Sequence, residues 1–230
     1  MASADASEAP DVPAPRDRDY EWMSREAWWQ RHRALLALGP ELKLKSEVAF
    51  LGDSITEGWD DSVWNEAFGR YTPLRLGIGG DKTQQVLFRI EQGELLGMHP
   101  KVLVLLIGTN NFGLGTATPA DVATGVQAVV KAVQAKLPDT HVLLLGILPR
   151  DQLPGTPARQ NLSATNALLA GAKLGDKVHY LDISRHFLDR TGRIPQALMT
   201  DFLHPTKAGY RIFAQAISPK LRELVRAAKK

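Results

Sequence analysis

The stretch KVLVLLIGTNN, residues 101–111, contains the clearest indication of the fold. Its first part, residues 101–107, is almost entirely leucine and β-branched residues, which is typical of a strand covered on both faces in a parallel sheet. Gly108-Thr109-Asn110-Asn111 follow directly, where the strand ends. Ligands bind and catalytic side chains converge at the carboxyl ends of strands in an open parallel sheet. The stretch therefore predicts a parallel sheet with polar groups at its functional edge.

The segments on both sides of this stretch alternate between strand and helix patterns. This alternation over 230 residues predicts an α/β protein, a three-layer α/β/α sandwich around a five-stranded parallel sheet, in a single domain at residues 21–230. The predicted strands are residues 48–51, 74–78, 101–107, 141–148 and 178–183. The predicted helices are residues 22–38, 59–68, 83–90, 120–137, 159–174 and a last helix from about residue 205, which Pro219 is expected to break or kink.

The composition excludes several kinds of site and partner. The chain has no cysteine, so disulfides, thiolate zinc sites and a cysteine nucleophile are excluded. No apolar run approaches the length of a membrane span, and none is predicted. The net charge is only +3, and much of the basic excess lies in residues 220–230 with helix-spaced leucines, so a nucleic-acid partner is not predicted.

The first twenty residues are rich in Ala, Pro and Asp and have no apolar core. Residues 1–20 are therefore predicted to form a disordered leader. No signal peptide is predicted, because nothing before Trp22 could serve as its hydrophobic region. The localisation is left open.

Gly52-Asp53-Ser54-Ile55-Thr56 follows the first predicted strand and places a hydroxyl at its carboxyl end. Taken alone, this run is also compatible with a helix cap or a tight turn. It lacks the Gly-x-Ser-x-Gly pattern of α/β-hydrolases, so that fold is not implied. A serine hydroxyl is a weak nucleophile that needs an adjacent, oriented base. Ser54 is therefore a candidate nucleophile whose interpretation depends on its partners.

His204 is the best candidate for that base among the six histidines. Asp201, three residues earlier, can accept a hydrogen bond from the imidazole, fix its tautomer and stabilise the imidazolium. Asp182, at the end of the fifth strand, is the rival acid. An Asp-x-x-His pair could also be a capping arrangement or half a metal site, but no further ligands follow at convincing spacing, and no metal is predicted.

Two further positions suit the stabilisation of an oxyanion. Gly80 lies in the run Gly79-Gly80-Asp81 and lacks a side chain, so its backbone N–H can approach a reacting carbonyl closely. Asn110 follows the buried strand, and its side-chain amide can point an N–H inward from the sheet edge. A glycine turn and an Asx-turn are the alternative readings of the two residues.

Together, these four runs of residues resemble the SGNH or GDSL hydrolase superfamily. Ser54, Gly80, Asn110 and His204 occupy the four positions that give the superfamily its name, with Asp201 three residues before the histidine. The similarity extends from about residue 22 to the C-terminus. Residues 77–90, 93–95, 100–102, 108–111, 148–150 and 201–204 resemble the catalytic subunits of type I platelet-activating-factor acetylhydrolase and related bacterial esterases.

The resemblance implies a flavodoxin-like sheet of strand order 2-1-3-4-5, no metal or cofactor, and hydrolysis of short-chain, acetyl-like esters through an acyl-serine intermediate. A homodimer is one option by family analogy. The implied catalytic residues are Ser54, Asp201 and His204, the oxyanion hole is formed by Ser54, Gly80 and Asn110, and the small acyl pocket is lined by Ile55, Thr109 and Leu203.

Two other functions stay open at this point. A carbohydrate O-deacetylase, similar to an acetylxylan esterase, would use the same machinery. A non-catalytic interaction subunit is the alternative from another class. The proline- and glycine-rich loop at residues 149–157 follows the fourth strand and is either a rim of the site or a plain connector.

Overall fold

Five parallel strands form one sheet in the computed structural model of the protein, which describes residues 9–228. They are β1 (Val48–Gly52), β2 (Leu74–Gly77), β3 (Val102–Leu106), β4 (His141–Leu145) and β5 (Val178–Leu181). The strand order is β2-β1-β3-β4-β5, and each neighbouring pair is parallel. This confirms the predicted sheet and its order.

Helices cover both faces of the sheet and connect the strands. They are α1 (Arg25–Leu36), α2 (Pro40–Lys45), α3 (Ser54–Glu57), α4 (Asp61–Phe68), α5 (Thr83–Glu91), α6 (Thr109–Gly113), α7 (Pro119–Lys136), α8 (Pro157–Ala170) and α9 (Lys207–Ala227).

The core lies in two layers, one on each face of the sheet. Along β3, Leu103 and Leu105 belong to the core beneath α5 and α7, whereas Val102, Val104 and Leu106 belong to the core beneath α4 and α9. This alternation is what a strand dictates, because successive side chains point to opposite faces. Both faces are apolar here, so the strand reads as one continuous apolar run.

The sequence predicts that Pro219 breaks or kinks the last helix, and the predicted break is wrong. α9 continues through it to Ala227. Ile217 and Leu221, on either side of the proline, are both buried in the same core. Their packing holds the two halves of the helix together despite the missing backbone N–H.

The segment before α1 differs from the sequence expectation in its described part, residues 9–20. The hydroxyl of Thr83 donates to the carbonyl of Pro10 (2.6 Å), and the N–H of Ala14 donates to the carbonyl of Gln84 (3.1 Å). Arg16 is only 4% exposed. Its guanidinium anchors the segment on the body, which composition alone does not reveal. Residues 1–8 of the predicted leader lie outside the described residues.

Within residues 9–228, no helix is both long enough and apolar enough to cross a membrane.

Candidate active site

Ser54 and His204, which are far apart in the chain, are in contact at the carboxyl edge of the sheet. Ser54 is the first residue of α3, immediately beyond β1, and His204 lies in the loop before α9. Ser54 Oγ is 2.9 Å from His204 Nε2, and His204 Nδ1 is 2.6 Å from Asp201 Oδ2. The three side chains predicted to act together therefore form one hydrogen-bonded chain.

The loop that carries His204 is shaped by Asp201. Its Oδ1 accepts hydrogen bonds from the backbone N–H groups of Leu203 (3.1 Å) and His204 (2.8 Å). Phe202, between Asp201 and Leu203, has φ of 58°. This is a left-handed backbone conformation, which residues other than glycine rarely adopt without such support. One carboxylate thus fixes both the backbone of the turn and the ring of the histidine.

Hydrogen bonding keeps Asp201 ionised. Partial burial acts to raise the pKa of this carboxyl, but the hydrogen bonds from the His204 ring and backbone and from Leu203 outweigh it, and the pKa lies below its ordinary value. An ionised Asp201 accepts a hydrogen bond from the Nδ1–H of His204, so the proton stays on Nδ1. Nε2 is then left to accept the hydroxyl proton of Ser54, which is the tautomer a general base requires.

Asp53, the residue before Ser54, caps the short helix α3. Its Oδ1 accepts the N–H of Ile55 (3.0 Å), while its Oδ2 is buried without a hydrogen-bond partner among the described residues. The carboxyl is 1% exposed, and burial raises its pKa to about 7. The carboxyl group that caps the helix beginning at Ser54 therefore titrates near neutral pH.

This burial has a consequence for stability. Between about pH 4 and about pH 7, folded Asp53 holds a proton that the unfolded chain releases, so its contribution to stability falls as the pH rises. Asp53→Asn removes that titration. We expect the difference in free energy of unfolding, Asp53→Asn minus wild type, to be larger at pH 8 than at pH 5. The difference should increase by up to about 1.4 kcal/mol per pH unit between about pH 4 and about pH 7.

Urea unfolding of both proteins at the two pH values measures this effect. The matched control is Asp139→Asn, because the side chain of Asp139 is fully exposed and its ion pair with Lys177 lies at the surface, where such pairs contribute little. The change with pH should be much larger for Asp53→Asn than for this control. A difference for Asp53→Asn that does not change with pH would contradict the prediction.

Gly80 and Asn110, the two further oxyanion candidates, line the same cavity as Ser54; Gly80 lies in the loop after β2, and Asn110 lies in the short helix after β3. Gly80 has φ of +73°, and Asn110 is 7% exposed in α6. Asn110 Nδ2 donates to the backbone carbonyl of Asp81 (3.0 Å). This bond orients the amide and, within residues 9–228, leaves its second N–H for a ligand.

Asp81 forms hydrogen bonds that connect the loop of Gly80 with Asn110 and with a buried ion-pair network. Its buried carboxylate accepts the indole N–H of Trp28 (2.6 Å) and a guanidinium N–H of Arg89 (2.5 Å). Arg89 in turn pairs with buried Glu94 (2.5 Å). A buried network with every charge paired is rigid, so it holds the loop of Gly80 and the amide of Asn110 in fixed positions.

The segment before α1 closes the site over Gly80, which the sequence did not predict. Arg16 donates to the carbonyl of Gly79 (2.5 Å), and its guanidinium lies over the rings of Tyr20 and Trp22, at 5.1 and 5.6 Å from their centroids. A side chain on Gly80 would overlap Trp22 Cη2, so only glycine fits there. The sequence feature that could have indicated this contact is the pair of aromatic residues, Tyr20 and Trp22, in an otherwise polar segment.

A cavity of about 420 Å³ opens over these groups. Leu203 lines it, whereas Ile55 and Thr109, the other two residues predicted for the acyl pocket, are buried and are not among its lining residues. The sequence analysis assigned no role in the site to eight further residues that line the cavity. Some of them are chain neighbours of the predicted residues, and others come from separate segments. They are Trp22, Met23, Glu57, Gly58, Gly79, Gly113, Leu114 and Arg150.

Other predicted features lie elsewhere or take a different role. Asp182, the rival acid, accepts the N–H of Ser184 (2.8 Å), and the hydrogen-bonded acid of His204 is Asp201. The loop at residues 149–157 contributes Arg150 to the cavity, so this part of it forms a rim. In the part of the chain that the structure describes, no three His, Cys, Asp or Glu side chains converge to hold a metal ion. That no metal or cofactor is needed stays a prediction.

Comparison with known proteins places the chain among characterised relatives. Residues 50–212 match the family model of the GDSL-like lipase/acylhydrolase family. The platelet-activating factor acetylhydrolase IB subunit alpha1 of Bos taurus is 36% identical over 200 residues, which cover 86% of this chain and 84% of that protein. The alpha2 subunit of Rattus norvegicus is 34% identical over 230 residues, which cover 98% and 95%.

Solved structures share the fold at lower identity. A GDSL-like lipase from Bacteroides thetaiotaomicron superposes with a TM-score of 0.67 at 21% identity, covering 86% of this chain and 97% of that one. An acetylxylan esterase from Geobacillus stearothermophilus gives a TM-score of 0.61 at 16% identity, covering 79% and 96%. At these identities the likeness is one of fold.

Proposed function

Because the chain belongs to the GDSL-like lipase/acylhydrolase family and is an ester-cleaving hydrolase, we propose that it hydrolyses short-chain, acetyl-like acyl esters through an acyl-serine intermediate. The observation that carries the proposal is the hydrogen-bonded chain from Ser54 through His204 to Asp201. An activated nucleophile requires that arrangement of hydroxyl, base and orienting acid.

The reaction proceeds in two halves. His204 accepts the hydroxyl proton of Ser54 as Oγ attacks the ester carbonyl, whose oxygen takes the negative charge. The bond to the alcohol oxygen then breaks, and His204 gives its proton to the leaving alkoxide. Water attacks the acyl-serine in the same way, with His204 accepting and returning a proton, and the carboxylic acid and free Ser54 are released.

Three donors face the developing oxyanion in this proposal: the backbone N–H groups of Ser54 and Gly80 and the side-chain amide of Asn110. Each is expected to lower the barrier by about 3 kcal/mol, because donors fixed in place need no reorganisation during the reaction. The buried ion pairs around Asp81 support this role, since they hold two of the three donors rigidly. Asp201 acts by orienting His204 and stabilising its charged form.

The acyl preference follows from the resemblance to acetylhydrolase subunits, which assigns the acyl pocket to Ile55, Thr109 and Leu203. Leu203 lies in the cavity wall, and the other two residues are buried and do not line the cavity. We expect kcat/KM for p-nitrophenyl acetate to exceed that for p-nitrophenyl octanoate by about tenfold or more. A panel of acyl chain lengths measures this. A specificity constant that rises with chain length would contradict the short acyl pocket.

A carbohydrate O-deacetylase is the second candidate. Trp22 favours it, because this residue is 56% exposed while lining the cavity, so that aromatic surface is available there for a sugar ring, although Tyr20 stacks on the indole. Activity on acetylated xylo-oligosaccharides well above that on aryl acetates would identify this substrate class. A non-catalytic subunit is set aside, since the chain is an ester-cleaving hydrolase. The homodimer stays a prediction from family analogy.

A further inference from the structure

Arg150 places a positive charge in the wall of the catalytic cavity, which Leu114 and Trp22 also line. Its guanidinium Nη1 donates to the backbone carbonyl of Thr109 (3.2 Å). The same group lies against Gly113, where any side chain would overlap it. These contacts with α6 therefore hold the guanidinium of Arg150 in place.

No carboxylate within residues 9–228 pairs with Arg150. The acidic groups near the cavity are engaged elsewhere. Glu57 accepts the N–H of Gly79 (2.7 Å) and pairs with Arg31 (3.3 Å), and Asp201 is bound to His204. Asp151, the next residue in the chain, accepts the hydroxyl of Thr156 (2.8 Å).

A guanidinium has five N–H donors, of which one is used by Thr109. A partly buried cation without a counter-ion has lost solvation that a bound anion can replace. The fork of an arginine matches the two oxygens of a carboxylate or phosphate group better than any other side chain does. The remaining donors of Arg150 therefore suit an anionic group that enters the cavity with a ligand.

We propose that Arg150 binds a carboxylate or phosphate group carried by the ester substrate, so that the enzyme prefers anionic esters over neutral esters of the same shape. This inference rests on the proposed esterase function and adds the charge of the substrate to it. Trp22 and Leu114 add apolar surface to the same cavity.

Two pairs of probes test the proposal, each differing only in charge. In the first pair the charge is on the alcohol side: 4-acetoxybenzoate against 4-acetoxybenzamide. In the second it is on the acyl side: the 4-nitrophenyl ester of succinic acid against that of succinamic acid, each corrected for its rate without enzyme, because the succinate carboxylate also attacks its own ester. Both acids are ionised at about pH 7.5. The ratio of kcat/KM, charged over neutral, is the readout, because a general loss of fold or catalysis cancels in it.

For the wild type we expect a ratio of about ten or more in at least one pair, which also identifies the side of the ester that carries the anion. Arg150→Gln should lower that ratio to about one. The matched control is Arg222→Gln, which removes the same charge from an exposed position on α9 and should leave the ratio unchanged. If Arg150→Gln does not fold, the wild type alone still tests the proposal, since its ratio should fall as salt rises from about 0.05 to about 0.5 M.

Three results would overturn the inference. They are a wild-type ratio near one in both pairs, a ratio that Arg150→Gln retains, and a wild-type ratio that salt does not change. In each of these cases hydrolysis of the neutral esters leaves the proposed function standing. If the wild type hydrolyses none of the four probes, the proposed function fails, and this inference fails with it.

Discussion

Ser54→Ala is expected to lower kcat/KM for p-nitrophenyl acetate by about 10⁴-fold or more while the protein stays folded. The reason is that Ser54 Oγ supplies the bond-forming electron pair, and no other hydroxyl lies against His204 Nε2 among the described residues. The loss should appear in kcat, because the cavity and the oxyanion donors remain.

The matched control is Ser62→Ala, at an exposed position where the hydroxyl contacts Lys207 (2.6 Å). It makes the same chemical change outside the cavity and should keep activity within about twofold. Thermal unfolding of both variants checks that each is folded. Residual activity of Ser54→Ala above about a hundredth of the wild-type value, with contaminating esterase excluded, would contradict the role of Ser54.

Asn110→Ala is the substitution with the second-largest expected effect, a loss of about 10²- to 10³-fold in kcat with little change in KM. The side-chain amide has one N–H bound to Asp81 and the other directed to a ligand in this proposal. A donor that acts only on the charged transition state changes the rate and not the affinity for the neutral ester.

Asn111→Ala provides the control on the neighbouring residue. The Asn111 side chain is buried and bonds to Thr83 Oγ1 (3.1 Å) and Gln84 Oε1 (3.1 Å). Its loss should lower the free energy of unfolding by about 1–3 kcal/mol, while kcat of the folded protein changes less than tenfold. Equal losses in kcat for the two variants would assign Asn110 a structural role instead.

The centre of the sheet could be predicted from the sequence because β1 and β3 are buried on both faces. Each reads as a short apolar run with no competing pattern. The edge strands β2 and β5 are less uniformly apolar, since they contain Arg75 and His179. The short helices α2, α3 and α6 could not be predicted, since four to six residues carry no periodicity. The continuity of α9 through Pro219 was also missed, because it depends on the packing of Ile217 and Leu221.

The candidate site was predictable for a different reason. Ser54, Gly80, Asn110 and His204 each follow or precede a regular element, and the topology of a parallel sheet brings those points to one edge. The roles of Arg150, Trp22 and Glu57 could not be predicted in this way. Trp22 comes from the segment before α1, Arg150 from the loop after β4, and Glu57 from the end of α3. Their residue types are equally compatible with an ordinary surface.

The segment at residues 9–20 shows the limit of composition as a guide. Its small, polar residues predict disorder, yet one buried arginine changes the outcome. The Arg16 guanidinium, bonded to Gly79 and lying over Tyr20 and Trp22, replaces the hydrophobic contacts that the segment lacks. The average composition of the segment does not show the effect of a single residue of this kind.

The nucleophile can be identified by covalent labelling. A fluorophosphonate reacts with an activated serine, and peptide mass spectrometry locates the adduct. We expect the wild type to carry one phosphonyl group on Ser54, with no adduct on Ser54→Ala and much slower labelling of His204→Gln. An adduct on another serine, or a wild-type protein that hydrolyses esters while Ser54 stays unlabelled, would contradict catalysis by the Ser54–His204–Asp201 chain.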